Sequence, residues 1–261
     1  MLLSGKIKIF NVSMRNYQIL LLFVFLISPA FLHAKCIEGD CENGYGTYSD
    51  FWTTYKGQHK DGKYHGEGVL TFRVGGEYVG QFQSGRYHGH GHKTVPGSQD
   101  YEGEFKNGEY DGKGTLLFPD GSKYIGQFKN GQPHGQGIYT NPDGTKYDGQ
   151  YVEGKREGKG TLILPDGSKY SGQWKDRLPS GQGSYFWADG RKYVGQFKAG
   201  DQNGQGTYTW PDGKKYVGQF HDGLRHGFGT EWINDKVSKS GYWLNDKYVG
   251  EEKTNGLIDA E

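Results

Sequence analysis

Tyr124 to Lys146 reads YIGQFKNGQPHGQGIYTNPDGTK, and this stretch decides the fold. The same grammar starts again at Tyr55, Tyr78, Tyr101, Tyr147, Tyr170, Tyr193 and Tyr216, at a spacing of 23 residues with no insertion or deletion. A fixed period of this size marks a repeat array, in which each unit contacts mainly its neighbours and none buries its apolar face alone.

Within one repeat, Tyr124-Ile125-Gly126-Gln127-Phe128 alternates strictly. Tyr124, Gly126 and Phe128 fall on one strand face, and Ile125 and Gln127 on the other. Gly135-Gln136-Gly137-Ile138-Tyr139 repeats the pattern, with both glycines on the face of Tyr139. Glycine weakens a strand, so its regular return inside one needs a steric reason. Rings lying flat over residues without side chains supply that reason.

The connections are equally legible. Pro119-Asp120-Gly121, Pro142-Asp143-Gly144, Pro165-Asp166-Gly167 and Pro211-Asp212-Gly213 set proline at the second turn position and glycine where φ must be positive. Asn107-Gly108 and Asn130-Gly131 are hairpin turns at the other strand ends. The chain is predicted to meander, one hairpin per repeat.

The pattern Y-x-G-x-Φ followed by G-x-x-x-G-x-G-x-Φ resembles the MORN repeat (membrane occupation and recognition nexus) over eight units from Tyr55 to Ser238. The resemblance implies an all-β fold: an elongated, single-layer antiparallel β-hairpin array that serves as a binding or scaffolding module. It does not imply catalysis, because the family's enzymes carry their chemistry in separate domains.

Residues 1–34 contain Lys6, Lys8 and Arg15, no acidic residue, and an apolar core from Ile19 to Ile27. That is the layout of a secretory signal, with cleavage after Ala30 or Ala34 and Met14 as an alternative start. The core is short for a membrane span, which needs about 20 residues, so a retained anchor is the lesser reading. Residues 35–54 form an N-terminal cap with a worn repeat, Gly44-Tyr45-Gly46-Thr47-Tyr48, one residue out of register. Cys36 and Cys41 are predicted to pair as a disulfide closing Ile37 to Asp40, the default in an exported chain; a redox or metal pair is the alternative. Residues 239–261 are a degenerate last repeat and an irregular tail, with Lys239 where tyrosine is expected.

Composition agrees. The chain has 46 Gly, 20 Tyr, 14 Phe and 6 Trp beside 2 Met, and a mean hydropathy of -0.84, so it lacks the makings of a conventional two-layer core. Removing Lys6, Lys8 and Arg15 leaves 28 basic against 30 acidic residues, which is not the footprint of a nucleic-acid binder. The basic residues are predicted to pair within repeats, Asp120 with Lys123 and Asp212 with Lys214 and Lys215, leaving little attraction for anionic lipid.

Histidine precedes the second-strand glycine at His65, His88, His134 and His226, but Asp111, Glu157, Ser180 and Asn203 fill the same slot, which is not how a catalytic position behaves. His88, His90 and His92 alternate and are the candidate metal ligands, for zinc or copper, with His65 lateral to His88. Against this, adjacent same-face positions on a flat strand splay apart, and His90 and His92 sit on the polar face, where histidine needs no special reason. No nucleophile, base and orienter recur, no phosphate loop appears, and no cofactor is implied. The sequence therefore reads as a non-catalytic exported scaffold, periplasmic, envelope-bound or secreted, that binds a protein partner. A lipid-headgroup or envelope-glycan module, with Tyr and Trp as stacking platforms, is the alternative; an enzyme with an unrecognised site is a further one.

Overall fold

The computed structural model describes residues 34–252. Residues 1–33, which hold the signal segment up to Ala34, and residues 253–261 of the tail lie outside the described residues. Those described fall into two compact units that divide between Pro142 and Asp143, inside a Pro-Asp-Gly turn. In the first, ten strands run from β1 (Lys35–Gly39) and β2 (Tyr45–Ser49) through β3 (Thr53–Lys60) to β9 (Lys123–Lys129) and β10 (Gln132–Thr140). In the second, ten more run from β11 (Lys146–Val152) to β20 (Lys247–Gly250). Inside each unit every strand pairs antiparallel with its neighbours in sequence, which makes an open meander of hairpins with no helix among the described residues.

The turns match their residues. Gly121 N–H donates to the Phe118 carbonyl at 2.9 Å, closing the turn over Pro119 and Asp120 with Gly121 at φ 84°. At the other strand ends Asn107 and Gly108 have φ of 54° and 94°, the left-handed pair that hairpin turns demand. Glu153 and Ala199 adopt the same conformation where asparagine is missing.

The core is one face thick. Tyr124 is fully buried, and its ring lies over Gly126 of its own strand and Gly137 of the next, the two being directly opposite in the β9–β10 register. A Cβ on Gly126 would sit 2.6 Å from the Tyr124 Oη and 2.6 Å from the Gly137 Cα, so both positions must be glycine. The Tyr124 hydroxyl donates to the Gln127 carbonyl at 2.9 Å, and the equivalent bond recurs in all eight repeats, at 3.1 Å for Tyr216. Within a unit the ring is then wedged edge-on between the aromatic residue of its own repeat and that of the next: Tyr101 lies 5.0 Å from Phe105 and 5.1 Å from Phe128. Such edge contacts are worth about 0.5–1.5 kcal/mol each beyond burial, so cohesion is passed from repeat to repeat.

The predicted alternation fails in the first half of each second strand. Between His134 and Gly137 the register slips, and Gly135 adopts φ 64° in a β-bulge, so Gly135 and Gly137 do not do the same work. Gly137 makes room for the ring; Gly135 makes the bulge, and the Gln127 side chain fills the space a Cβ there would need.

Both ends are capped. Cys36 and Cys41 form the predicted disulfide, with Cα atoms 5.8 Å apart. Their loop covers Gly46, where a Cβ would meet the Cys41 Sγ at 2.9 Å, so the disulfide loop takes the place that tyrosine takes elsewhere. The one-residue register offset of this worn repeat is absorbed in the β2–β3 turn, which restores Gly46 opposite Gly57 and Tyr48 opposite Tyr55. At the far end Glu231 and Lys239 replace the paired rings, opposite one another. The buried Arg225 guanidinium donates to Glu231 at 2.9 Å and to Asp246 at 3.0 Å while stacking 4.2 Å from the Trp243 ring centre. Buried charges need such pairing to be tolerated.

Because each repeat touches only its neighbours, deleting Tyr170 to Lys192 as a unit is expected to leave a shorter folded array with a single cooperative melt. Deleting Gly195 alone shifts every later side chain of its strand to the opposite face and is expected to unfold the unit around it. Circular dichroism melts of the two variants check this; the reverse order of stability overturns the nearest-neighbour description.

Candidate interaction surface

The tyrosine face is consumed internally, so the face that remains is the opposite one. On each first strand its positions are the residue after tyrosine and the residue before Φ. Four of the eight repeats place Val79, Ile125, Val194 and Val217 at the first of these, 39–45% exposed; the others carry Lys56, Glu102, Asp148 and Ser171 there. Across the register they alternate with second-strand residues: Val194 faces Ser184 and Thr207, and Val217 faces Thr207 and Thr230. The result is a row of short β-branched and hydroxyl side chains crossing the strands.

Beside it runs an amide row. The Oε1 atoms of Gln127, Gln150, Gln173, Gln196 and Gln219 accept the N–H of the residue after the bulge glycine at 2.7–3.0 Å. Glu104 does the same with Lys113 at 2.8 Å. The bulge leaves that N–H without a ladder partner, and a side-chain carbonyl one strand away is the nearest acceptor. Sequence reasoning missed this role, although the recurrence of Gln before Φ was its signal. In the first unit a surface cavity of about 890 Å³ opens on this face, with Val79, His92, Glu102, Thr115 and Ile125 around a floor of strand glycines.

Charge does not follow the predicted pairing. Asp120 accepts from the Ser122 N–H and hydroxyl at 2.8 and 2.6 Å, not from Lys123, and these bonds hold its carboxyl below the usual range. Asp212 accepts from the Lys214 N–H at 3.0 Å, and the Lys214 ammonium reaches Glu231 at 2.7 Å. Lys215 lies 4.7 Å from the Trp232 ring centre. Turn aspartates satisfy their own turns, and the strand lysines are left to the open face.

The candidate metal ligands are not gathered. Gly89, at φ 58°, is the bulge of its strand and breaks the alternation between His88 and His90. His88 Nδ1 is buried without a hydrogen-bond partner, His90 is exposed, and His92 Nε2 sits 2.7 Å from Asp100. His65 pairs with Gln58 in the preceding hairpin. Among the described residues no group of three or more His, Cys, Asp or Glu side chains could hold a metal ion.

Three rings at the rim carry a cation, while Tyr45, Trp52 and Phe228 stay exposed. The Arg191 guanidinium lies 5.2 Å from the Trp187 ring centre, and the Lys214 ammonium is 5.2 Å from that of Trp210. Lys192 lies 5.0 Å from the Phe186 ring centre.

A chain of identical β-hairpins whose recurring Tyr, Gly, Gln and Φ all serve the scaffold defines a repeat-type binding module. The sequence model of the MORN repeat matches residues 55–77, 78–96, 101–123, 124–146, 147–169, 170–190, 193–215 and 216–236. The chain belongs to the MORN repeat family. No curated protein sequence matches it. Among solved structures it is similar to a point mutant of the TCP10 domain of Danio rerio CPAP, at 18% identity and a TM-score of 0.41, over 76% of this chain and 95% of that one. It is also similar to the TCP domain of Drosophila melanogaster SAS-4 in complex with a proline-rich motif of dSTIL, at 14% identity and a TM-score of 0.37, over 60% and 85% of the two chains. These likenesses carry no functional argument.

Proposed function

We propose that the chain is a non-catalytic, exported scaffold that binds a protein partner at the cell envelope through the open face of its hairpins. The observation that carries this reading is the division of labour between faces. One face is closed by buried tyrosines, and the other exposes Val79, Ile125, Val194 and Val217 beside an amide row. A sheet face left open across many strands of a repeat array suits an extended partner. Export is supported by the basic and apolar leader and by the Cys36–Cys41 disulfide, which belongs to an oxidising compartment. The glycan alternative loses one face each of Trp187, Trp210 and Phe186 to cations, which leaves Tyr45 and Trp52 as its exposed stacking platforms.

A photo-reactive amino acid placed at Val194 in the producing cells is expected to give a discrete protein adduct in the envelope fraction. The same group at the exposed turn residue Ala199 is expected to give none. No adduct from Val194 or Ile125, together with co-sedimentation of the purified chain with protein-free vesicles, would replace this reading with the lipid-binding one.

A further inference from the structure

We propose that the open face of the second unit is a docking trough for an extended acidic polypeptide segment that crosses its strands; this deepens the protein-partner reading and rests on it. The trough spans β13 (Lys169–Lys175), β14 (Leu178–Phe186), β15 (Lys192–Lys198), β16 (Asp201–Thr209) and β17 (Lys215–His221). Its first wall is a cationic row at the beginning of alternate strands, Lys169, Lys192 and Lys215, interleaved with Phe186 and Thr209 across the register. Among the described residues none of the three lysines makes an ion pair, Lys192 and Lys215 lying instead against the Phe186 and Trp232 rings, and the turn aspartates that could neutralise them are occupied elsewhere. Asp166 bonds Ser168, Asp189 bonds Arg191, and Asp212 bonds the Lys214 N–H. The second wall, Lys175 and Lys198, has carboxylates beside it, Asp176, which pairs with Lys155 at 3.0 Å, and Asp201, opposite Lys198 in the register, whereas the first wall has no carboxylate turned toward it.

Every residue between the walls on these strands is uncharged. Ser171, Ser184, Val194, Thr207 and Val217 form the floor, and beside them Gln173, Gln196 and Gln219 hold their Oε1 atoms on bulge N–H groups. With the carbonyl end fixed, each Nε2 amino group is left as a donor for a neutral acceptor such as a peptide carbonyl. Acidic side chains suit the wall, peptide carbonyls suit the amide row, and short apolar or hydroxyl side chains suit the floor.

The spacing selects an extended chain. Equivalent lysines are two strands apart, about 9.6 Å at ordinary strand separation, and three residues of a chain extended in the polyproline II conformation advance about 9.3 Å in one full turn, which returns every third side chain to the same side. An acidic residue at every third position therefore meets Lys169, Lys192 and Lys215 in turn. The depth argues against a flat lipid surface, because Val194 and Val217 are far shorter than the lysines beside them. A bilayer would touch ammonium groups and leave the floor bare. A narrow chain reaches both.

The test is fluorescence anisotropy of the full exported chain with a synthetic peptide repeating Glu-Val-Ser, and with an isomer of the same composition whose glutamates are clustered at one end. The repeating peptide is expected to bind more tightly, and to weaken as salt screens the wall. Lys192→Glu with Lys215→Glu is expected to weaken it about tenfold or more, as reversal of paired charges does. The deciding variant is Val194→Lys with Val217→Lys, which adds two positive charges but fills the trough. The trough predicts weaker peptide binding, whereas a membrane or unspecific polyanion surface predicts tighter binding. Circular dichroism confirms that each variant is folded. Equal binding of the two isomers, tighter binding by the filled trough, or preference for anionic phosphatidylglycerol vesicles over the peptide overturns the proposal. Absence of peptide binding while Val194 still forms a protein adduct in cells sinks the trough and leaves the protein-partner reading standing; loss of both removes both.

Discussion

Gly183→Val is expected to unfold most of the second unit, with a stability loss far above what a strand-favouring residue would lead one to expect. The backbone at Gly183 is not left-handed, so valine is locally compatible. The obstacle is the neighbour, since a Cβ at this site would lie 2.5 Å from the Tyr170 Oη and 2.7 Å from its Cε2. The ring has nowhere to retreat. It is buried, lies 5.2 Å from Trp174 and 5.0 Å from Phe197, and its hydroxyl donates to the Gln173 carbonyl at 2.8 Å. Expelling it forfeits the burial of a large aromatic, about 3–5 kcal/mol on the scale of aromatic-to-alanine changes. It also breaks a hydrogen bond worth about 1 kcal/mol. Gly167→Ala is the matched control. Gly167 has φ 88° and open space around it, so only backbone strain of about 1 kcal/mol applies. Urea unfolding of the two variants checks the comparison, and equal midpoints would show that no ring roofs Gly183.

Alkali is expected to dismantle the array over a narrow window above pH 10. Burial raises the tyrosine pKa values throughout the core: Tyr64 and Tyr110 are pushed up to about 12, the latter also by the charges of Tyr87 and Asp100. The ring-bearing tyrosines, such as Tyr124 and Tyr193, are raised further, burial being the main cause. For an acid whose folded pKa lies above its unfolded value, both states are protonated below about pH 10 and the full stability is present. Between the unfolded and folded values only the unfolded chain releases its proton, so stability falls as pH rises, by about 1.4 kcal/mol per pH unit for each such tyrosine. Several of them titrate together, which makes the fall steep. Urea midpoints should be level up to about pH 9 and drop sharply from there. Tyrosinate absorbance should appear together with loss of the β-sheet signal. Tyrosines that ionise near pH 10 while the sheet persists would contradict their burial.

Most of the fold is written locally. Tyr124, Gly126, Phe128, Gly137 and the Pro-Asp-Gly and Asn-Gly turns carry their structural instruction within one or two strands, and the 23-residue period repeats it without drift. Strand existence, order and face could therefore be read from residue types alone, as could the pairing of Cys36 with Cys41, the two cysteines of the chain. The bulge was not legible, because Gly135 and Gly137 are the same residue two positions apart, and only the opposing strand decides which one takes φ 64° and which one admits a ring.

The candidate surface divides in the same way. That one face would be aromatic and the other polar follows from alternation. Which charges cancel does not, because Asp120 and Lys123 are near in sequence yet the carboxylate turns into its own loop and the ammonium onto the sheet. His88, His90 and His92 looked convergent for the same reason, until the left-handed Gly89 separated them. The sequence by itself determined a meander of hairpins glued by tyrosine over glycine, since those terms act between adjacent strands. Tertiary structure alone decided where the lysines, glutamines and histidines point, since each depends on which backbone N–H groups the bulges and turns leave to be satisfied.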